Sequence, residues 1–163
     1  MAAKEIKLID IPRQEWATAL SALPTKEVKA AAESFESCCH VQDVILPQSG
    51  LGLLTLRDGA FHEAFHLGEL PVARAHVVLR TQDGQESSGG AVLIDDRATL
   101  ARAIAILDGV IAGRLPGWET AAALVERGYS ARAAKFAERK HILASTRVDF
   151  SLLGQVDEED GDE

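Results

Sequence analysis

The first forty residues carry apolar positions at helical spacing. Between residues 12 and 23, apolar residues recur every three or four positions, which places them on one side of an α-helix. These residues are Trp16, Ala19, Leu20 and Leu23. Pro12 suits the first turn, because the amide hydrogen that proline lacks would be unpaired there. After Pro24 the pattern predicts a second helix over residues 25–38, with Thr25 as its cap.

The middle of the chain predicts β-strands, because its apolar residues occur in short runs or alternate with polar ones. The candidate strands are residues 41–46, 51–56, 60–66, 70–80 and 88–94. Turn-forming residues separate them, notably at 47–50 and 82–85. Consecutive strands are therefore expected to pair antiparallel, in a sheet of about four or five strands.

The longest candidate strand has a pattern that predicts its two faces. Ala73, Ala75, Val77 and Leu79 would share one face, opposite Val72, Arg74, His76, Val78 and Arg80. In the following strand, Gly89 and Gly90 predict either a bulge or a close approach of another part of the backbone.

Beyond these strands the spacing returns to that of helices. Asp95 or Asp96 is predicted to cap a helix through about residue 112, which is apolar enough to be buried across the sheet. A helix that begins at Glu119 is predicted to stop at Gly128, and a further helix is predicted over residues 130–143. These elements give a helical C-terminal region.

Length, composition and charge support a single α+β domain over residues 1–156, in which helices pack on an antiparallel sheet. Apolar residues make up 47% of the 163 residues, enough for a core without disulfides or metals. The net charge is −8, but residues 157–163 hold six carboxylates, which leaves about −2 for the rest. This acidic tail is expected to be disordered, and a nearly neutral body argues against nucleic-acid binding.

The expected location is the cytoplasm. No apolar run approaches the ~20 residues of a transmembrane helix, and no signal-peptide core follows the first residues. In a reducing compartment, the adjacent Cys38 and Cys39 are expected to be free thiols rather than a disulfide framework.

Residue types that often carry chemistry do not form a complete catalytic set. His62 and His66 in a strand would lie ~13 Å apart, too far for one metal ion. Cys38, Cys39 and His40 lack the second ligand pair of a zinc site, so they are interpreted as packed small residues, with a reactive thiolate as the alternative. A phosphate-binding glycine loop is also missing. We therefore predict no metal, no cofactor and no catalytic residue in this chain.

Basic residues predict a candidate anion or acidic-partner surface. The C-terminal cluster contains Arg132, Lys135, Arg139, Lys140 and Arg147 within sixteen residues. The candidate surface comprises Arg132, Lys135 and Arg139, together with Arg74 of the central strand. Guanidinium groups match phosphate and carboxylate oxygens, although an ordinary solvated helix face would also carry such residues.

Four segments in the same order along the chain resemble motifs of the PhnG family. They are Arg13 to Trp16 in the first helix, Phe65 to Glu69 followed by Arg74, Asp108 late in the long helix, and Ala144-Ser-Thr-Arg147-Val-Asp149-Phe150. The resemblance covers about residues 12–154. The chain departs from the family at residues 95–97, where Gly-Arg-Asp is common, and at 151–155, where a late arginine is lost.

The resemblance implies a subunit of the carbon–phosphorus lyase core complex, with partners resembling PhnH, PhnI, PhnJ and PhnL. In that system an alkylphosphonate displaces adenine from the ribose C1′ of ATP, which yields a ribose 1-methylphosphonate 5-triphosphate. The nucleosidase chemistry belongs to a partner. The resemblance thus implies part of a multi-protein transferase that is not catalytic alone. The alternatives are a free-standing small-molecule-binding protein or a thiol- or histidine-dependent enzyme.

The segment Arg147, Val148, Asp149 and Phe150 is predicted to bind a partner protein. It is a charged and aromatic cluster between the last predicted helix and the acidic tail, where the fold does not require it. Phe150 would fill an apolar pocket, and Arg147 would pair with an acidic group.

Overall fold

A computed structural model describes residues 11–146 of the chain. Within them the elements are α1 (Arg13–Ser21), α2 (Thr25–Glu36), β1 (Cys39–Arg57), β2 (Ala64–Thr81), β3 (Glu86–Leu93), α3 (Ala98–Gly113) and α4 (Trp118–Ser145). The α+β class and the two N-terminal helices are confirmed. The chain divides into two compact units, residues 1–132 and 133–163, with the boundary inside α4. The predicted acidic tail lies outside the described residues.

The three strands form one antiparallel sheet in the order β1-β2-β3. β1 and β2 pair along almost their whole length, from Cys39 opposite Thr81 to Arg57 opposite Ala64. β3 is shorter and pairs only with residues 73–80 of β2, across the predicted turn that follows Thr81. The outer part of the β1–β2 hairpin therefore extends beyond β3 as a two-stranded ribbon.

The prediction of four or five short strands is wrong for the described residues, because two predicted breaks lie inside continuous strands. The break at residues 47–50 is an irregularity in β1 between Ile45 and Gln48. Pro47 is tolerated there because β1 is an edge strand. The break near Gly68 is a second irregularity, where Gly68 adopts φ +139°, a conformation that favours glycine.

Helices cover one face of the sheet and form the hydrophobic core with it. α3 packs on β2 and β3 and also contacts α1, α2 and β1. The alternation predicted for β2 is confirmed, because Ala73, Ala75, Val77 and Leu79 are buried whereas Arg74 and Arg80 are exposed. The predicted burial of α3 is also confirmed along most of its length. None of the helices between residues 11 and 146 is long and apolar enough to cross a membrane.

A very close contact joins β3 to α3 in this core. A Cβ atom added at Gly89 would lie 2.1 Å from the carbonyl oxygen of Ala105 and 2.3 Å from the backbone nitrogen of Gly109. A side chain at position 89 would therefore push the strand off the helix. The predicted close approach of backbones is confirmed at Gly89.

The prediction that Gly128 ends a helix is wrong, because α4 runs through it without a break. A Cβ atom added at Gly128 would lie 2.1 Å from the carbonyl oxygen of Ala19 in α1. Gly128 thus permits a close contact between two helices instead of terminating one. A glycine near the end of an apolar pattern can indicate either feature, and only the packing partner distinguishes them.

The predicted helix caps at Thr25 and at residue 95 or 96 are also wrong. The N-cap residues are Pro24 and Arg97, and neither makes a side-chain capping bond. Arg97 instead connects the starts of α2 and α3, because it donates to Oγ1 of Thr25 at 2.6 Å and pairs with Asp95. The hydrogen bonds from Arg97 lower the pKa of Asp95 to about 2.

Candidate functional site

The outer part of the β1–β2 hairpin differs from the rest of the sheet because no third strand flanks it in the described structure. We define the arm as residues 50–72, the hairpin beyond the last pairing of β2 with β3, which joins Ala73 to Leu93. At ~3.4 Å per residue, the β1 strand of the arm is roughly 25 Å long. The arm is therefore long enough to reach well beyond the third strand.

Large apolar side chains of the arm are exposed on both of its faces. Leu51, Leu53, Leu54, Leu56, Phe61, Phe65 and Leu67 have exposed fractions between 37% and 83%. Because side chains alternate along a strand, Leu51 and Leu53 continue the face that helices cover elsewhere, and Leu54 and Leu56 lie on the opposite face. Together they expose roughly 600 Å² of apolar surface over the two faces of the arm.

The tip of the arm is an ordered turn built around one carboxylate. Asp58 Oδ1 accepts hydrogen bonds from the backbone nitrogens of Ala60 at 2.8 Å and Phe61 at 2.6 Å, and Oδ2 accepts one from Glu63 at 2.9 Å. These hydrogen bonds lower the pKa of Asp58, and the bond from Phe61 contributes most. The turn therefore holds its shape while the ring of Phe61 is 83% exposed.

An ion pair between half-exposed Arg13 and buried Asp108 connects α1, α3 and the edge of β3. Arg13 donates from Nε and Nη2 to the two carboxylate oxygens of Asp108, at 3.0 and 2.8 Å. Asp108 also accepts from the backbone nitrogen of Gly90 at 3.0 Å, and Arg13 donates to the carbonyl oxygen of Ser88 at 3.1 Å. Asp108 is 5% exposed, so its charge depends on these donors. The hydrogen bond to the carboxylate of Asp108 raises the pKa of Arg13.

A depression of about 470 Å³ lies beside this ion pair, with Gln14, Ala17 and Val92 in its wall. Both oxygens of Asp108 already accept hydrogen bonds, so the carboxylate is engaged rather than poised to remove a proton. The Arg13–Asp108 pair therefore has the geometry of a structural connection between elements.

The candidate thiol and histidine sites do not assemble into a metal centre. Within residues 11–146, no three side chains of His, Cys, Asp or Glu are grouped so that they could hold a metal ion. Burial, and then the thiol of Cys38, raise the pKa of Cys39 to about 11, so Cys39 is protonated at neutral pH. His66 Nδ1 lies 3.1 Å from Oγ1 of Thr55, whereas His62 lies in the tip turn. That the chain holds no metal or cofactor stays a prediction.

The residues of the candidate anion surface lie in different parts of the structure. Arg74 is exposed on the sheet face away from the helices, where its guanidinium nitrogens are 3.2 and 3.3 Å from the side-chain amide of Gln48. Arg132 pairs with Glu15 of α1 at 2.5 Å, on the helical side. Arg74 and Arg132 therefore do not share one surface. Lys135 and Arg139 are exposed in the C-terminal part of α4, beyond the unit boundary.

The predicted partner-binding segment Arg147, Val148, Asp149 and Phe150 lies outside the described residues, just beyond the end of α4. Its role therefore stays a prediction.

Sequence reasoning did not identify the arm, although one signal was present. Residues 44–56 contain no charged side chain. Such a run is typical of buried strands in a sheet that is covered on both faces, and the strand pattern does not reveal that the outer half has no cover.

Three of the four segments that resemble PhnG motifs lie in the described part of the chain. Arg13 and Asp108 form the ion pair described above, and Trp16 donates from Nε1 to the carbonyl oxygen of Ile11 at 2.8 Å. The segment from Phe65 to Glu69 lies in the arm.

Comparison with known families agrees with these placements. The family described as phosphonate metabolism protein PhnG matches residues 11–154. Comparison with individual curated proteins finds no match. Because the matched segment includes the sheet, all four described helices and most of the 163 residues, the chain belongs to the PhnG family of phosphonate metabolism proteins.

Proposed function

We propose that this chain is a subunit of the carbon–phosphorus lyase core complex and has no catalytic site of its own. Its partners would be proteins resembling PhnH, PhnI, PhnJ and PhnL. Together they would transfer alkylphosphonate to the ribose C1′ of ATP with release of adenine, in the cytoplasm. Membership of the PhnG family supports the role in phosphonate metabolism, and the arm supports assembly with other proteins.

The arm is the observation that carries the proposal. An isolated two-stranded hairpin is marginally stable in water, and this one exposes apolar side chains on both faces. Covering roughly 600 Å² of apolar surface would contribute on the order of 15 kcal/mol of gross hydrophobic free energy. Association itself costs about 4–15 kcal/mol. The arm can therefore supply a large share of a stable interface with a second protein.

The contribution to the reaction would be positional rather than chemical. A subunit that closes or shapes a shared site helps the phosphonate oxygen, rather than water, to meet the ribose carbon. Holding two reactants in register supplies on the order of 7–11 kcal/mol of a reaction barrier. A subunit can thus be required for the transfer without offering an acid, a base or a nucleophile.

A second contact with the complex is proposed at Arg147 to Phe150, on the family resemblance of that segment. If it binds a partner, Phe150→Ala and Arg147→Ala will co-purify less well with the PhnI-like subunit than the unchanged chain does. Equal co-purification would contradict this second contact without affecting the arm.

The alternative of a free-standing thiol-dependent enzyme is less well supported. A nucleophilic cysteine needs a lowered pKa, whereas the pKa of Cys39 is raised to about 11. Cys38 is exposed, and its thiol donates a hydrogen bond to the carbonyl oxygen of Phe35, with Sγ 3.3 Å from that oxygen.

The experiment measures adenine release from ATP with and without methylphosphonate. It compares the chain alone, the partner set without it and the complete set. We expect phosphonate-dependent release only from the complete set. Adenine release by the chain alone would contradict the accessory role, and full transfer by the set that lacks the chain would contradict the requirement for it.

A further inference from the structure

We infer that the tip of the arm is a preformed anchor whose Phe61 ring enters an apolar pocket, with a neutral to basic rim, on a partner subunit. The inference rests on the proposed function, because it needs a complex in which the arm is covered. It adds the point of attachment, the residue that supplies it and the chemistry of the receiving surface.

The tip turn is held by hydrogen bonds within the chain itself. Three backbone nitrogens donate to Asp58, and the backbone nitrogen of Asp58 itself donates to the carbonyl oxygen of Glu63 at 3.1 Å. Arg57 adds a bond from Nη1 to the carbonyl oxygen of His62 at 3.3 Å, and His62 takes the left-handed conformation, with φ 56°. A loop held in one conformation loses little entropy on binding, which favours affinity.

The turn uses the backbone of Phe61 and leaves its side chain available. The N–H of Phe61 is bonded to Asp58, whereas the residue is 83% exposed, more than any other large apolar residue in 11–146. The fold of the turn therefore gives no reason for an aromatic residue at this position. A large, rigid ring on an ordered support is typical of the residues that dominate binding energy in interfaces.

The charges of the arm indicate what kind of surface receives it. The arm holds three carboxylates, Asp58, Glu63 and Glu69, against the single guanidinium of Arg57. Asp58 is occupied by the turn, which leaves Glu63 beside the anchor and Glu69 further along the arm. A complementary partner therefore offers an apolar pocket for Phe61 and a neutral or basic rim.

Two other occupants fit these charges less well. A second copy of the chain would bring one acidic arm against another. A membrane would have to accept the polar residues Asp58, His62 and Glu63 together with the ring, and a single arginine gives little attraction to anionic lipids. A protein subunit that offers an apolar pocket with a neutral or basic rim is therefore the favoured occupant.

The test compares binding of arm variants to the assembled PhnH-, PhnI- and PhnJ-like subunits, measured as dissociation constants. We expect Phe61→Ala to weaken binding by about 30-fold or more and Phe61→Leu by less than about 10-fold. Asp58→Ala keeps the ring but loosens the turn, and is expected to weaken binding by about 10-fold. Ile94→Ala, which alters a 77% exposed apolar residue outside the arm, is the matched control and should leave binding unchanged.

Binding of Phe61→Ala within twofold of the unchanged chain would overturn the inference. The inference would also be overturned if Phe61→Ala kept its binding to the subunits but lost self-association in sedimentation. Loss of binding to phosphatidylcholine–phosphatidylglycerol vesicles, with subunit binding kept, would overturn it as well. The thermal midpoint of Phe61→Ala should equal that of the unchanged chain, because the ring is exposed.

If Phe61→Ala binds normally while omission of the chain abolishes adenine release, the anchor is wrong and the proposed function stands. If omission has no effect on adenine release, the proposed function fails.

Discussion

The same two strands pass through two different environments in this protein. In the body, where β3 and the helices flank it, β2 buries Ala73, Ala75, Val77 and Leu79. In the arm, residues 64–69 of β2 are all exposed. Both regions are rich in apolar side chains, so the difference lies in what covers them. The apolar residues of the body account for the fold, whereas those of the arm have no comparable role within the described residues.

The contrast separates side chains that stabilise the isolated chain from side chains that remain available for binding, within one hairpin. Burial of the body side chains stabilises the isolated chain, because each removes apolar surface from water on folding. The exposed side chains of the arm gain this contribution only when a second protein covers them. Matched substitutions in the two regions therefore separate the two contributions.

The largest effect is expected from adding one methyl group to the body. Gly89→Ala places a Cβ 2.1 Å from the carbonyl oxygen of Ala105, so the free energy of unfolding should fall by about 3 kcal/mol or more. The same change at Gly50 in the arm meets nothing within 4 Å and should alter it by less than about 0.5 kcal/mol. Urea unfolding of the two variants measures the difference.

Gly90→Ala is the local control, because its added Cβ would be 3.7 Å from the nearest atom, the carbonyl oxygen of Ala75. Similar destabilisation by Gly89→Ala and Gly90→Ala would contradict the close contact between β3 and α3.

The next largest effect is expected at the ion pair that connects the body. Asp108→Ala leaves the backbone nitrogen of Gly90 without its acceptor and removes the carboxylate from Arg13, and should lower the free energy of unfolding by about 2 kcal/mol. In a double-mutant cycle, Arg13→Ala and Asp108→Ala should show a coupling free energy of about 1 kcal/mol or more.

The matched control for this cycle is the exposed pair of Arg80 and Glu86. Its nitrogen–oxygen distance is 2.7 Å, close to the 2.8 Å between Arg13 and Asp108. Its coupling should be below about 1 kcal/mol, because solvent screens both partners. Equal coupling in the two pairs would show that the burial of Asp108 contributes nothing.

Polar substitution in the arm should separate stability from assembly. Leu53→Ser, at a side chain 58% exposed, should change the free energy of unfolding by less than about 0.5 kcal/mol. It should nevertheless weaken co-purification with the partner subunits and make the isolated chain less prone to aggregate, because it removes exposed apolar surface. A marked loss of stability in the isolated chain would show that the arm is part of the core.

The smallest effect is expected from pH at the tip of the arm. The pKa of Asp58 is lowered in the folded chain, so its ionised carboxylate stabilises the turn above its unfolded pKa, and this contribution is lost as the pH falls through the lowered value. The amide resonances of Ala60 and Phe61 should therefore shift between about pH 5 and pH 2. In Asp58→Asn this shift should be absent, and a shift that persists there would assign it to another group.

Local pattern was sufficient for much of the fold. The apolar spacing of α1, α2 and α3, and the alternation from Ala73 to Leu79, depend on the periods of helix and strand and are visible along the chain. The motif resemblance likewise identified the family, since short motifs in a fixed order are properties of the sequence itself. The pairing of Arg13 with Asp108 was not predicted, because the two lie far apart in sequence and meet only when α1 and α3 pack.

Local sequence pattern was therefore enough for the helices, for most strand residues and for the family, whereas packing between the elements sets how the segments join and which apolar residues are covered. Pro47 and Gly68 indicate breaks, but strand pairing absorbs both as irregularities. Gly128 indicates a helix end, but the close passage of Ala19 makes it an interior position. The physical reason is the same in each case: a residue has one set of backbone preferences, and the neighbours brought by folding decide which of them is used. The exposure of the arm has the same cause. A side chain is hydrophobic because of its own composition, whereas its burial depends on which neighbours pack against it.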